Sequence, residues 1–246
     1  MRLTRTLHTL GLLLAALVTG VFRYSGWPPS RQRDYVRAWS RRLLRALGLK
    51  LVVHGHLPEA QHHNLLVVAN HISWLDIFVL HAVHPTRFVA KAELAHWPVF
   101  GFLIRRSGTI FVERTKRTDT ARVNRMIGAA LAGGDCIGVF PEGTTSEGRG
   151  VARFHASLLQ PIVEAGGHVQ PVALRYLEAD GSFAQAPAYV DDMPFFRCLW
   201  RVIGSRGLRA EVWLHPLLDA AVMDRRSLAH AAREAIKSAW DRGSGD

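Results

Sequence analysis

Leu65-Leu66-Val67-Val68-Ala69-Asn70-His71-Ile72-Ser73-Trp74-Leu75-Asp76 is the stretch that decides the fold. Five apolar residues in a row, with no polar alternation, read as a strand buried on both faces. Asn70 then caps the next helix or holds a turn. His71 falls at the strand-to-helix transition, where loops carry function on a rigid frame. Asp76 follows five residues later, and five steps along an ideal helix separate side chains by about 140°. The two can meet only if His71 lies in the turn before the helix. Asp76 would then fix one ring nitrogen and leave the other as a base, the core of acyl-transfer chemistry on a substrate hydroxyl. Read alone, the pair fits a cap and a surface salt bridge better than a catalytic dyad. Ser73 is no protein nucleophile, since nothing like GxSxG surrounds it.

Outward from this stretch, short apolar runs alternate with helical periodicities. Strands are predicted at 49–54, 65–69, 86–90, 108–112, 136–140, 169–175 and 209–214. Helices are predicted at 74–82, 97–105, 119–132, 151–164 and 227–240. This is an α/β pattern: a seven-stranded, largely parallel or mixed sheet flanked by helices. Residues 179–207 read as a looser excursion with its own hydrophobic contacts.

The N-terminus has a different character. The chain carries a formal net charge of +11, and residues 1–50 contribute most of it, with nine Arg, Lys50 and a single acid, Asp34. Leu10 to Phe22 is almost continuously apolar between Arg5 and Arg23, yet as a helix it would reach only about 20 Å, short of a bilayer core of about 30 Å. It reads as a retained anchor, shallow or minimally spanning, rather than a cleaved signal. In residues 34–47, Tyr35, Val36, Trp39, Leu43 and Leu47 share one helical face, with Arg37, Arg41 and Arg45 on another. Such a helix suits a headgroup interface or packing on its own domain. The expected division is therefore 1–48, a membrane anchor with an amphipathic interfacial helix, and 49–246, the globular domain. Cys136 and Cys198 make neither a disulfide framework nor a metal cluster, and the histidines lack metal spacing. No reading helix or aromatic-basic platform points to nucleic acid.

Two further motifs end predicted strands. Gly108-Thr109-Ile110-Phe111-Val112-Glu113-Arg114 closes on an acid and a base, and Arg114 suits bidentate phosphate contact. Phe140-Pro141-Glu142-Gly143-Thr144-Thr145 offers a glycine for close backbone approach and hydroxyls for anionic oxygen. Glu142 either binds glycerol hydroxyls or positions a base.

Together these boxes resemble the glycerophospholipid acyltransferases, especially bacterial 1-acylglycerol-3-phosphate acyltransferases and the branch acting on lyso-ornithine lipid. The family's histidine-x4-aspartate box looks like His71 and Asp76, its second box like Gly108 to Arg114, its FPEGT box like Phe140 to Thr144. Its apolar-proline box is similar to Val169-Gln170-Pro171-Val172-Ala173. The order matches, as does Lys91-Ala92-Glu93-Leu94 before Trp97-Pro98. One departure is His155, after Phe154, where many members place lysine and glycine.

The resemblance implies a membrane-associated bacterial enzyme of phospholipid biosynthesis that acylates a lysophospholipid from acyl-CoA or acyl-carrier protein, with no bound cofactor or metal. It implies His71 as general base assisted by Asp76. Glu113, Arg114, Glu142, Gly143 and Thr144 would form the acceptor site, with Lys91 as a further anion contact. Asn70, Pro141 and Pro171 would shape the pocket, and backbone N–H groups near the His71 turn would hold the oxyanion. The expected place is the inner membrane, domain on the cytoplasmic side, against an anionic lipid surface. The competing reading is a non-catalytic lipid-binding membrane protein, which would have no need of a general base.

Overall fold

In the computed structural model, which describes residues 2–56, 64–96, 100–112, 117–190 and 192–241, the 65–69 run is the centre of the sheet. Two helices come first, α1 (Arg2–Phe22) and α2 (Pro29–Leu47), followed by β1 (Lys50–His54), β2 (Leu65–Ala69), α3 (Leu75–Val83) and β3 (Arg87–Lys91). Then come α4 (Phe100–Arg106), β4 (Ile110–Val112), α5 (Arg117–Ala132), β5 (Cys136–Val139), α6 (Gln160–Ala165) and β6 (His168–Leu177). The chain closes with α7 (Phe195–Gly204), β7 (Arg209–Leu214), β8 (Leu218–Asp219) and α8 (Arg225–Asp241).

Strand order is β1-β7-β6-β2-β5-β3-β4, with β8 pairing β6. β6, β2, β5, β3 and β4 run parallel, while β7 and β8 are antiparallel to β6 and β1 is parallel to β7. All seven expected strands are present in a mixed sheet, and the two-residue β8 adds to them.

The unbroken apolar run of β2 is needed because both its faces are covered. Leu65, Val67 and Ala69 pack with α2, α3 and α7, while Leu66 and Val68 pack with α5, α6 and α8. The sheet therefore sits between two helical layers, each with its own hydrophobic cluster.

The apolar face of α2 is turned to protein. Leu43, Leu44 and Leu47 are buried in the same cluster as Leu75 and Val79 of α3, and Trp39 packs edge-on against Phe78, with ring centroids 5.7 Å apart. Burying three leucines contributes on the order of 1.5–3 kcal/mol each. The exposed side of α2 carries five arginines, Arg31, Arg33, Arg41, Arg42 and Arg45, against one acid, Asp34. Pro29 starts this helix and Gly48, in the left-handed region at φ 84°, ends it by donating to Leu44 and Arg45.

α1 lies along α2 and is fastened at three places. Arg5 donates to the Ile203 carbonyl (3.1 Å), the Trp39 indole donates to the Leu12 carbonyl (3.1 Å), and Gly20 sits so close to Phe102 of α4 that a Cβ there would come within 2.9 Å of the ring. Its outer side is a stripe of Leu3, Leu7, Leu10, Leu14, Val18, Val21 and Phe22, each about half exposed or more.

Two expectations are corrected. Residues 151–164 do not form one helix: 151–155 are irregular, Ala156–Leu159 is a 3-10 turn, and only Gln160–Ala165 is α-helical. Pro161 cannot supply an N–H to a continuing helix and instead occupies the first turn of α6. Conversely, the excursion at 179–207 contains a helix, α7, which begins immediately after Pro194.

Candidate active site

The site assembles at the carboxyl ends of the parallel strands, the edge where open α/β sheets bind ligands. His71 follows β2 and Phe140 follows β5; β3 ends at Lys91 and β4 at Val112 along the same edge. Glu113 and Arg114, next in sequence after Val112, lie outside the described residues.

His71 does lie in the turn before α3, and its Nδ1 is 2.7 Å from Asp76 Oδ2. A carboxylate oxygen only accepts, so Nδ1 carries a proton, and in the neutral ring Nε2 is the nitrogen with a lone pair to offer. Asp76 is fully buried, and all its contacts come from donors. Oδ2 also accepts the N–H groups of Ile72 (2.7 Å) and Ser73 (2.9 Å), and Oδ1 accepts the Tyr176 hydroxyl at 2.8 Å. Burial pushes the Tyr176 hydroxyl well above its ordinary value, with Asp76 adding to the rise, so it stays a donor.

Glu142 ties the two boxes together. Its Oε2 accepts the His71 N–H at 2.7 Å and its Oε1 the Ala152 N–H at 2.7 Å. Burial raises its carboxyl above the ordinary value, and those two N–H donors pull it part of the way back. The His71 carbonyl in turn accepts from Ser146, both N–H (2.9 Å) and hydroxyl (3.1 Å). Phe140 stacks on the His71 ring at 4.0 Å and 11°, and Phe88 stacks behind it at 5.7 Å and 6°. Gly143 has φ +74°, which disfavours any side chain, and a Cβ there would stand 3.3 Å from His155.

The N–H groups of His71, Ile72 and Ser73 are therefore committed to Glu142 and Asp76. These three groups hold the histidine, so the expected oxyanion donors are not among them.

The Lys91 side chain lies outside the described residues, and the other expected residues divide between cavity wall and frame. A cavity of about 1060 Å³ is lined by His71, Glu142, Gly143, Thr144 and His155 at one part and by Ala16, Gly20, Trp39 and Phe78 at another. Asn70, Pro141 and Pro171 do not line it. Asn70 is buried and clips β2 to β6, donating to the Leu174 carbonyl (3.0 Å) and accepting its N–H (2.8 Å). The Pro141 carbonyl accepts the His155 N–H at 2.9 Å, and the Pro171 carbonyl accepts the His215 N–H at 3.1 Å. Tyr176, Ser146 and the Phe140 ring are contacts that the sequence reading missed. No group of three or more His, Cys, Asp or Glu side chains suited to a metal ion occurs among the described residues.

A histidine oriented by a buried carboxylate, at the wall of a largely apolar cavity, has the geometry for general-base chemistry on an apolar substrate. Comparison with known proteins agrees. A family model described as "Acyltransferase" matches residues 50–175. The chain is 39% identical over 216 residues to a 1-acyl-sn-glycerol-3-phosphate acyltransferase of Neisseria meningitidis, covering 87% of this chain and 83% of that one. It is 38% identical over 237 residues to a lyso-ornithine lipid O-acyltransferase of Pseudomonas aeruginosa, covering 95% and 89%. The crystal structure of the 1-acyl-sn-glycerophosphate acyltransferase PlsC of Thermotoga maritima superposes with a TM-score of 0.72 over 100% of this chain and 99% of that one, at 24% identity. With the family model spanning all the boxes that build this edge of the sheet, the chain belongs to the acyltransferase family.

Proposed function

We propose that this acyltransferase, a lysophospholipid acyltransferase, moves a fatty acyl group from acyl-CoA or acyl-carrier protein to the free hydroxyl of 1-acylglycerol-3-phosphate, giving phosphatidate. The observation that carries the mechanism is the 2.7 Å contact between His71 Nδ1 and Asp76 Oδ2 on the wall of the cavity. His71 Nε2 takes the proton from the acceptor hydroxyl as its oxygen attacks the thioester carbonyl. The tetrahedral intermediate collapses with cleavage of the C–S bond, and the imidazolium returns its proton to the departing thiolate. Asp76 holds the tautomer and stabilises the transient cation. Arg114, Glu113, Gly143, Thr144 and Lys91 make the acceptor site. Glu142, with both oxygens given to backbone N–H groups, serves to position the base.

The same reading places the enzyme on the inner membrane with its α/β body on the cytoplasmic side. α1 has the length and composition to cross a bilayer, but its fastening to α7, α2 and α4 favours a helix lying in the plane of one leaflet, stripe inward. Residues 1–48 would thus act as an anchor built onto the domain, with the arginines of α2 facing anionic headgroups.

Lyso-ornithine lipid is the second acceptor reading, favoured by the relative from Pseudomonas aeruginosa, whose similarity extends over 95% of the chain. The test is thiol release from acyl-CoA and acyl-carrier protein with each lysolipid in turn. Turnover is expected with lysophosphatidate and is expected to collapse in a folded His71→Ala variant. Comparable turnover in that variant would sink the mechanism, and turnover with lyso-ornithine lipid alone would reassign the acceptor.

A further inference from the structure

The cavity wall includes Phe195, the first residue of α7, which packs on Trp74 with ring centroids 5.0 Å apart. The next residue, Phe196, is turned outward and is 77% exposed; Trp200, one turn on, is 52% exposed. The other face of the helix, Cys198, Val202 and Ile203, is buried in the core. Outside α1, no other large aromatic among the described residues is exposed to this degree. Two such rings on one helix face, in water, are a feature that calls for a partner.

The neighbourhood identifies the partner. The Arg2 guanidinium lies 5.5 Å over the Trp200 ring, and Arg5 donates to the Ile203 carbonyl, so the start of α1 is seated on the end of α7. Leu3 and Leu7, the first residues of the exposed α1 stripe, lie close in sequence to the arginines that make this junction. Arg2, Arg197 and Arg206 are exposed around it. Aromatic rings flanked by arginine match the boundary between acyl chains and anionic headgroups, with rings at the interface and guanidinium groups toward phosphate. The two helices also share the cavity: Ala16 and Gly20 of α1 line it, as does Phe195 of α7.

We propose that α7 is a second membrane-docking element, inserting Phe196 and Trp200 into an anionic bilayer surface beside α1. The proposal rests on the membrane reading of α1 above. With both helices in the lipid surface, the cavity opens between two membrane contacts, and the domain cannot pivot about α1 alone.

The experiment is flotation of the full chain with phosphatidylglycerol-rich vesicles, comparing wild type, F196S/W200S and L7S/L14S. The residues exchanged are exposed, and unchanged circular dichroism would establish that each variant folds. F196S/W200S is expected to weaken vesicle affinity roughly tenfold or more, while F196L/W200L retains most of it. Turnover of F196S/W200S on short-chain, water-soluble substrates without vesicles is expected to stay within about twofold of wild type. Unchanged affinity in folded F196S/W200S with a loss in L7S/L14S would overturn the role of α7 and leave the membrane reading standing. Unchanged affinity in both would remove both. A change in oligomeric mass, in place of vesicle affinity, would assign the rings to a second copy of the chain and also overturn the proposal.

Discussion

Asp76 Oδ2 lies 2.7 Å from His71 Nδ1 and at the same time accepts the N–H groups of Ile72 and Ser73. One oxygen atom therefore shapes the turn and orients the ring that the turn carries. Replacing Asp76 by Asn keeps an acceptor of similar shape but removes the charge that, in the proposed mechanism, stabilises the imidazolium. Asp76→Asn is expected to lower kcat by about 10²–10⁴-fold with a much smaller change in KM, checked by steady-state kinetics.

Tyr176 supports that carboxylate from the neighbouring strand. Tyr176→Phe removes the only donor to Oδ1 found among the described residues and leaves a buried oxygen without its partner. A loss of about 1–3 kcal/mol in urea unfolding is expected. A fall in kcat of about tenfold should accompany it, without change in acceptor preference.

Glu142 makes a prediction with a definite sign. Its folded carboxyl is raised above the ordinary 4.5, so the folded chain holds this proton more tightly than the unfolded one. Its contribution to stability is therefore full below about pH 4.5 and declines as pH rises through the folded value. Glu142→Gln should remove that decline. An amide oxygen can still accept one N–H, but the amide nitrogen then meets the other, and kcat should fall at least tenfold. Urea midpoints across pH 4–7 and kinetics at pH 7 test the two halves separately.

His81 acts in the opposite sense. Buried, it is held neutral, with its value lowered to about 3 by burial and further by His84. Below about pH 6.5 the unfolded chain takes up a proton that the folded chain refuses, so stability is lost as pH falls from there towards 3. The limiting slope is about 1.4 kcal/mol per pH unit. In His81→Leu, the fall in urea midpoint between pH 7 and pH 5 is expected to be visibly smaller than in wild type.

Much of this was legible in the sequence, and the reasons are local. Leu65–Ala69 announced a doubly covered strand because a parallel sheet under two helical layers tolerates no polar alternation. His71 and Asp76 were readable as a contact only with His71 in the turn before the helix, and as a site only through the boxes that accompany them. Tyr176 and Ser146 were not, since they reach the turn from 100 and 75 positions away, through strand register that no short spacing encodes. Glu142 had two readings in the sequence because a carboxylate looks the same whether it binds a glycerol hydroxyl or positions a base. Only its contacts with His71 and Ala152 separate them. The pattern at 151–164 misled because Phe154 and Leu158 are spaced as on a helix while Pro161 interrupts the hydrogen-bond ladder. α7 escaped notice because its ten residues follow Pro194 and only Cys198, Val202 and Ile203 of them are buried.

The clip between Asn70 and Leu174 spans 104 positions of chain, and the bond from His71 to Glu142 spans 71. Closing loops of that length costs entropy that is recovered only when the sheet around β2 is complete. No fragment of this chain can hold its histidine in place early in folding, however much helix it has formed. Refolding should therefore restore far-ultraviolet helical signal first and turnover last, and a partly folded chain at the membrane would touch lipid without acylating it.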